Sequence, residues 1–201
     1  MPRPSMKDQR TAEILDAYLT CVARFGLEGA TQDRIATEAG VKRPLLRHYL
    51  GNKDQMVIEL TNHVVQCYRD AVDGLRQVAR SVQTPSDLVE LLFHDEGPRD
   101  QRVGLAWQTL ATVAPEMPEL RQPLIDSQAH FLATLTVILQ RTTPEVPEPQ
   151  VRAVAQGIAA IFLSQDSLTP LMPPPEWGDD HKRSALMLAQ ILETQAQEPA
   201  L

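Results

Sequence analysis

The sequence predicts an all-α fold, on three observations. No stretch alternates Val, Ile, Thr or aromatic residues with polar ones, and no Asn-Gly or Asp-Gly turn joins two such stretches, so strand and hairpin signals are missing. Apolar residues recur instead at spacings of three and four. Capping residues and prolines divide these stretches into segments of helical length.

Ile14, Leu15, Tyr18, Leu19, Val22 and Phe25 mark a first helix over about residues 11–25, followed by Gly26 and Gly29. Thr31 is placed to cap a short second helix, with Asp33 favourable in its first turn and Ile35, Ala36 and Ala39 as its apolar face. Gly40 ends it, and a third helix is expected from about Lys42 to Tyr49. Asn52 with Gln55 three residues later has the layout of a capping box and opens a long fourth helix to about Val82. Thr84-Pro85-Ser86-Asp87 starts the fifth: Thr as cap, Pro at the first position, Asp in the first turn. Pro98 and Pro118 are placed to begin the sixth and seventh helices, the latter apolar on one side through Leu124, Phe131, Leu135 and Ile138. Pro144, Pro147 and Pro149 break the chain before an eighth helix over about residues 150–167. Pro170, Pro173, Pro174 and Pro175 form a stiff loop, after which a ninth helix is expected to resume at Asp179 or Asp180.

The 201 residues carry a formal net charge of −7, unevenly distributed. Residues 1–53 hold nine Lys/Arg against six Asp/Glu, a net of +3; residues 54–201 hold ten against twenty, a net of −10. The expected division is therefore a basic head (1–53) on an acidic body (54–201), with phosphate contacts confined to the head. Arg3, Lys7 and Arg10 are candidates for a flexible arm. Cys21 and Cys67 lack the paired spacing of a disulfide framework or a zinc site, which points to a reducing, cytoplasmic setting. No apolar run approaches the length of a membrane span, and the polar, basic N-terminal stretch has no hydrophobic segment behind it, so neither membrane insertion nor secretion is expected.

Two short helices that cross closely need small and apolar residues at fixed offsets. Between Gln32 and Gly51 those offsets are filled: Ala36 is small at the crossing, Gly40 stands where the turn requires positive φ, and Ile35, Val41, Leu46 and Tyr49 are apolar where the helices lock. The third helix then has an unused face. Arg43 and Arg47, four residues apart, share one side with Lys42, Pro44 and His48 beside them. Such a helix fits a DNA major groove, where the arginine fork matches guanine O6 and N7. Thr31, Gln32, Tyr49 and Lys53 are placed for contacts that fix register, Thr31, Tyr49 and Lys53 on phosphates.

The run from Ala30 to Met56, ATQDRIATEAGVKRPLLRHYLGNKDQM, resembles the DNA-binding signature of the TetR family, including the His48-Tyr49 pair and Lys53. The resemblance implies a nine-helix, Ω-shaped homodimer with helices 1–3 on double-stranded operator DNA, helices 4–7 around a small-molecule effector, and helices 8 and 9 pairing across the dimer. Three positions depart from the pattern. Pro44 stands where a small or flexible residue is usual, Arg47 replaces a common tyrosine and Leu50 a common phenylalanine. Pro44 is tolerable in a first turn, where its missing N–H has no intrahelical partner.

For the effector, an apolar molecule, the residues best placed on helices 4–7 are His63, Cys67, Tyr68, Phe93, His94, Trp107, Leu110, Gln128 and Phe131. For the dimer interface they are Val154, Gly157, Ile158, Ile161 and Phe162 on the eighth helix and Ala185, Leu188, Ala189 and Leu192 on the ninth. His63 and Cys67 have a permissible metal-ligand spacing, with His94, Asp95 and His130 as possible completions, but no second dense ligand pair accompanies them, so no metal and no cofactor are expected. No phosphate loop, serine elbow or compact nucleophile constellation points to an enzyme. The reading is a DNA-binding regulator released by a small molecule; the alternative is a small-molecule-binding helical protein whose helix-turn-helix no longer reads DNA.

Overall fold

The computed structural model describes residues 5–94 and 100–197. Among them the chain forms nine α-helices and no strand: α1 (Met6–Gly29), α2 (Gln32–Glu38), α3 (Arg43–Leu50), α4 (Lys53–Val78), α5 (Pro85–Leu92), α6 (Gln101–Val113), α7 (Pro118–Thr142), α8 (Glu148–Leu168) and α9 (Pro175–Gln197). The helix count and order match the expectation; several ends move, each for a local reason.

The first helix starts five residues early because Ser5 and Asp8 form a capping box: the Ser5 hydroxyl accepts the Asp8 N–H at 3.2 Å and the Asp8 carboxylate accepts the Ser5 N–H at 3.1 Å. Lys7 and Arg10 therefore ride on helix rather than on a flexible arm, and Arg10 pairs with Glu13 at 2.6 Å. Arg3 lies outside the described residues, as do Pro98 and Asp95. At its far end α1 kinks at Gly26. The predicted box at Asn52/Gln55 is closed, and the predicted Thr84 cap is extended by Asp87 into a second reciprocal box. The fourth helix ends at Val78 instead of Val82 and passes into a 3-10 turn over Ala79–Ser81, where Arg141 Nη2 donates to Ala79 O (2.7 Å) and Val82 O (3.0 Å). The ninth helix begins at Pro175, not after Asp179: a proline at N1 starts a helix as readily as it ends one, so only part of the proline cluster is loop.

The chain divides into two compact units that do not follow its linear order. The first comprises residues up to Tyr68 together with Arg102–Ser127; the second comprises Arg69–Gln101 and the chain from Gln128 onward. Both α4 and α7 contribute to each unit. The first unit is built on Ile14, Leu19, Ile35, Leu46, Leu60 and Leu110, all essentially inaccessible. There Arg102 in the first turn of α6 grips α1, with Nη2 to Asp16 Oδ1 at 2.9 Å and Nη1 to Thr20 Oγ1 at 2.7 Å. The buried Tyr18 hydroxyl is pushed up to about 12, chiefly by desolvation, and burial also raises the Cys21 thiol above its ordinary value.

In the second unit α9 packs between α8 and α5. Lys182 pairs with Glu90 at 2.6 Å, and Glu193 accepts the Ser86 N–H at 2.9 Å. This packing corrects the expected dimer interface. Ile158, Ala185, Ala189 and Leu192 are fully buried within one chain, and Val154 nearly so, which leaves these side chains no surface for a partner. Gly157 and Leu188 also face each other inside the chain: a Cβ at Gly157 would stand 2.7 Å from Leu188 Cδ1. Ile161, Phe162 and Leu188 keep partial exposure, and the large apolar side chains that α9 presents outward are Trp177 (47 % exposed) in its first turn and Met187 (63 %) and Ile191 (47 %) further along.

Candidate nucleic-acid interface

The α2–α3 pair is positioned by its turn. Gly40 sits at φ 62°, a conformation in which a side chain would be strained, and it lets Val41 N–H reach back to Ala36 O at 2.9 Å. Ala36, small and buried, admits α3; Ile35, Leu46 and Leu50 fill the crossing. The Thr31 hydroxyl accepts the Arg34 N–H at 3.4 Å to start α2. Arg34 in turn donates to Gly29 O at 2.7 Å and lies 4.5 Å over the Phe25 ring, tying α2 to the kinked end of α1.

With Leu46 and Leu50 turned inward, α3 exposes Arg43, Pro44, Leu45, Arg47 and His48. Pro44 occupies the first turn of α3, where it removes no intrahelical hydrogen bond. The two arginines are not equivalent. Arg43 is engaged with α2: its Nε donates to Gln32 Oε1 at 3.1 Å, and its Nη1 stands 3.4 Å from Asp33 Oδ2. Arg47 projects into solvent with no ion pair among the described residues. Tyr49 is half-buried against the core of the first unit, its ring edge-on to His48 at 5.1 Å. Lys42 caps the start of α3 with its backbone alone and is exposed. Lys53 is exposed at the first position of α4, whose start is fixed by the reciprocal Asn52 and Gln55 hydrogen bonds at 2.9 and 3.0 Å. Gln32 also reaches Met56 Sδ at 3.7 Å, joining α2 to α4. The structure thus brings all nine predicted DNA-facing residues onto one unit. The same outer face of α3 also carries Leu45, 41 % exposed, which is not among those nine. Of two successive leucines on a two-turn helix only one can face the core, which was the available signal.

The residues assigned to an effector fall into two groups. His63, Cys67, Tyr68, Trp107 and Leu110 belong to the first unit, where Tyr68, Trp107 and Leu110 share a cluster and Cys67 Sγ lies 4.0 Å from His63 Nε2. The buried Trp107 indole N–H has no acceptor among the described residues. Phe93, His94, Gln128 and Phe131 belong to the second unit; the Phe93 and Phe131 rings each approach Phe162 at 5.8 Å, Gln128 is half-buried and His94 is exposed. Among the described residues no three His, Cys, Asp or Glu side chains converge on a metal position.

A short helix locked by a glycine turn, with a cationic outer face and apolar inner face, defines a helix-turn-helix protein that binds DNA. Residues 14–60 match the family model described as bacterial regulatory proteins, tetR family. Residues 14–60 thus carry the DNA-binding domain of the tetR family of bacterial regulatory proteins. The chain is 29 % identical over 163 residues to the HTH-type transcriptional regulator BetI of Agrobacterium fabrum, covering 81 % of this chain and 77 % of that one. Its fold is shared with a TetR-family regulator from Mesorhizobium loti (TM-score 0.73, 13 % identity, covering 96 % and 98 % of the two chains). It is shared also with the regulator FadR of Bacillus subtilis in complex with stearoyl-CoA (TM-score 0.61, 16 % identity, covering 88 % and 96 %).

Proposed function

We propose that this regulator is a cytoplasmic homodimeric repressor that holds a pseudo-palindromic operator and leaves it when a small, largely apolar molecule binds its body. The carrying observation is the unpaired Arg47 on the exposed face of α3. Arg47 takes the base-reading role, bidentate to guanine, and Leu45 beside Pro44 offers an apolar surface to a thymine methyl group. Arg43, held by Gln32 and Asp33, stiffens α2 against α3 rather than reading freely. Lys42, His48, Tyr49, Lys53 and Thr31 serve the phosphates, with Gln32 as their support.

The dimer is assigned to the outer face of α8 and α9 through Met187, Ile191 and the half-exposed Ile161, Phe162 and Leu188, in place of the residues consumed inside the chain. Two recognition helices would then address half-sites about 34 Å apart. For the effector, Trp107 is the strongest anchor, because its buried and unsatisfied N–H favours a molecule that carries one acceptor in an apolar frame. The stearoyl-CoA bound by FadR, with its long acyl chain, supports a ligand with an apolar portion on this fold. Trp107 lies on α6, and α6 is clamped to α1 by Arg102, Asp16 and Thr20, so a shift of α6 on binding reaches the head through that pair. Coupling of this kind is reciprocal: operator DNA weakens effector binding by the same factor.

Selection of duplexes from a random pool by the intact protein at physiological salt tests this reading. Enrichment of an inverted repeat is expected. A pool with no enriched sequence would overturn it in favour of a helical ligand-binding protein whose helix-turn-helix has lost its DNA role.

A further inference from the structure

We infer that the groove between the end of α4 and the middle of α7, in the second unit, is a binding site for a small molecule with one anionic head, a carboxylate or a phosphate ester, on a short apolar chain. The groove encloses about 450 Å³, within the size range of small-molecule sites. None of its lining residues belongs to the effector set named above.

Three guanidinium groups, Arg76, Arg80 and Arg141, line it. They stand in a stretch of chain whose net charge is −10, yet among the described residues none is paired with a carboxylate. Arg141 is held in place without being neutralised. Its Nη2 donates to the carbonyls of Ala79 and Val82 at 2.7 and 3.0 Å, which fixes the guanidinium plane while the charge and the remaining donors stay available. A planar fork fixed in this way is suited to carboxylate or phosphate oxygens.

Thr134 is the second, independent sign. Its side chain is only 5 % exposed and lines the groove, and its hydroxyl makes no hydrogen bond among the described residues. Thr136, two residues along the same helix, satisfies its hydroxyl on Leu132 O at 2.8 Å, and the buried Thr143 does so on Leu139 O at 3.0 Å. The Thr134 hydroxyl opens onto the groove with no partner in the described chain, so it is left to hydrogen-bond whatever occupies the groove. Val137, 64 % exposed on the same wall, supplies apolar surface for the chain of the ligand. Asp73 also lines the groove, 3.9 Å from His130 Nε2; its carboxylate limits the site to a single anionic head rather than a polyanion.

Isothermal titration of the intact protein without DNA tests this separately from the operator reading. The probes are octyl phosphate, octanoate, octanol and inorganic phosphate. Octyl phosphate or octanoate is expected to bind at least tenfold more tightly than octanol and inorganic phosphate, and the tighter of the two tells a phosphate site from a carboxylate site. Replacing the exposed pair, Arg76→Gln with Arg80→Gln, is expected to weaken that binding at least tenfold, and Thr134→Val several-fold, with far-UV circular dichroism unchanged. Equal binding of octanol, no binding of either anion at millimolar concentration, or binding untouched by the double substitution would each overturn the assignment.

Discussion

The α2–α3 pair and the α8–α9 pair both bring helices together across small residues, but by different physics. In α2–α3 the small residue at the turn matters for its backbone: nothing lies within 4 Å of a Cβ placed on Gly40, and its φ of 62° is what forbids a side chain. In α8–α9 the small residues matter for space: Gly157 is closed off by Leu188, and Ala185 and Ala189 are fully buried. The first pair has two turns per helix and so must leave most of α3 outside; the second is long enough to bury a whole stripe. A short locked pair therefore displays its chemistry, whereas a long packed pair hides it.

That contrast can be broken by substitution, beginning with the cores. Leu46→Ala is expected to destabilise by about 2–5 kcal/mol and abolish operator binding, since α3 loses its anchor. Ile158→Ala is expected to cost a similar amount in chemical unfolding while a still-folded fraction binds DNA normally. If Leu46→Ala left operator affinity intact, α3 would not be the reading element.

The next largest effect is one of pH. Tyr18, with its hydroxyl pushed up to about 12, is held neutral by the fold, whereas an unfolded tyrosine ionises near 10. Its contribution is therefore complete below about pH 10 and declines as the pH rises towards 12, by about 2–3 kcal/mol in all. Thermal melts across that range should show a decline that Tyr18→Phe flattens; an identical decline in the variant would place the alkaline sensitivity elsewhere.

The two glycines separate backbone from space. Gly40→Ala should cost about 1–2 kcal/mol by strain alone and reduce operator affinity. Gly157→Ala gains about 1 kcal/mol in helix propensity but meets Leu188, with overpacking of about 1–3 kcal/mol, so a net loss of about 1 kcal/mol is expected. Leu188→Ala in the same chain should rescue Gly157→Ala in part and do nothing for Gly40→Ala; rescue of both would erase the distinction. The smallest effect is at a cap: Thr84→Ala should cost about 1 kcal/mol in thermal unfolding.

The same contrast explains what was legible in the sequence. The capping box at Asn52, the Thr84 cap, the turn at Gly40 and the register of α1 to α4 are local devices, readable from a few neighbours. The helix-turn-helix face was readable for the same reason, because a short helix that needs Leu46 and Leu50 inside has only one face left for Arg47. The start of α1 at Ser5 was missed because no large apolar residue stands between Met6 and Ile14 to extend the periodic pattern of the first helix back to the cap, and the start of α9 was missed because Pro175 stands among neighbouring prolines. Residues such as Ile158 and Leu192 were assigned to a partner because periodicity shows that a stripe is buried without showing which helix covers it. The engagement of Arg43 by Gln32 and Asp33 was likewise out of reach, since it depends on where α2 ends up beside α3. The arginine groove brings together residues more than fifty positions apart and left no pattern along the chain.

The measurement that bears most directly on the central claim is a base scan of the selected operator with wild-type protein and with Arg47→Ala. Wild type should discriminate against replacement of one guanine per half-site by about 1–3 kcal/mol, and Arg47→Ala should lose that preference while keeping the others. Discrimination at every position equal to that of wild type would contradict the assignment of Arg47, and with it the reading of α3 as the element that recognises sequence.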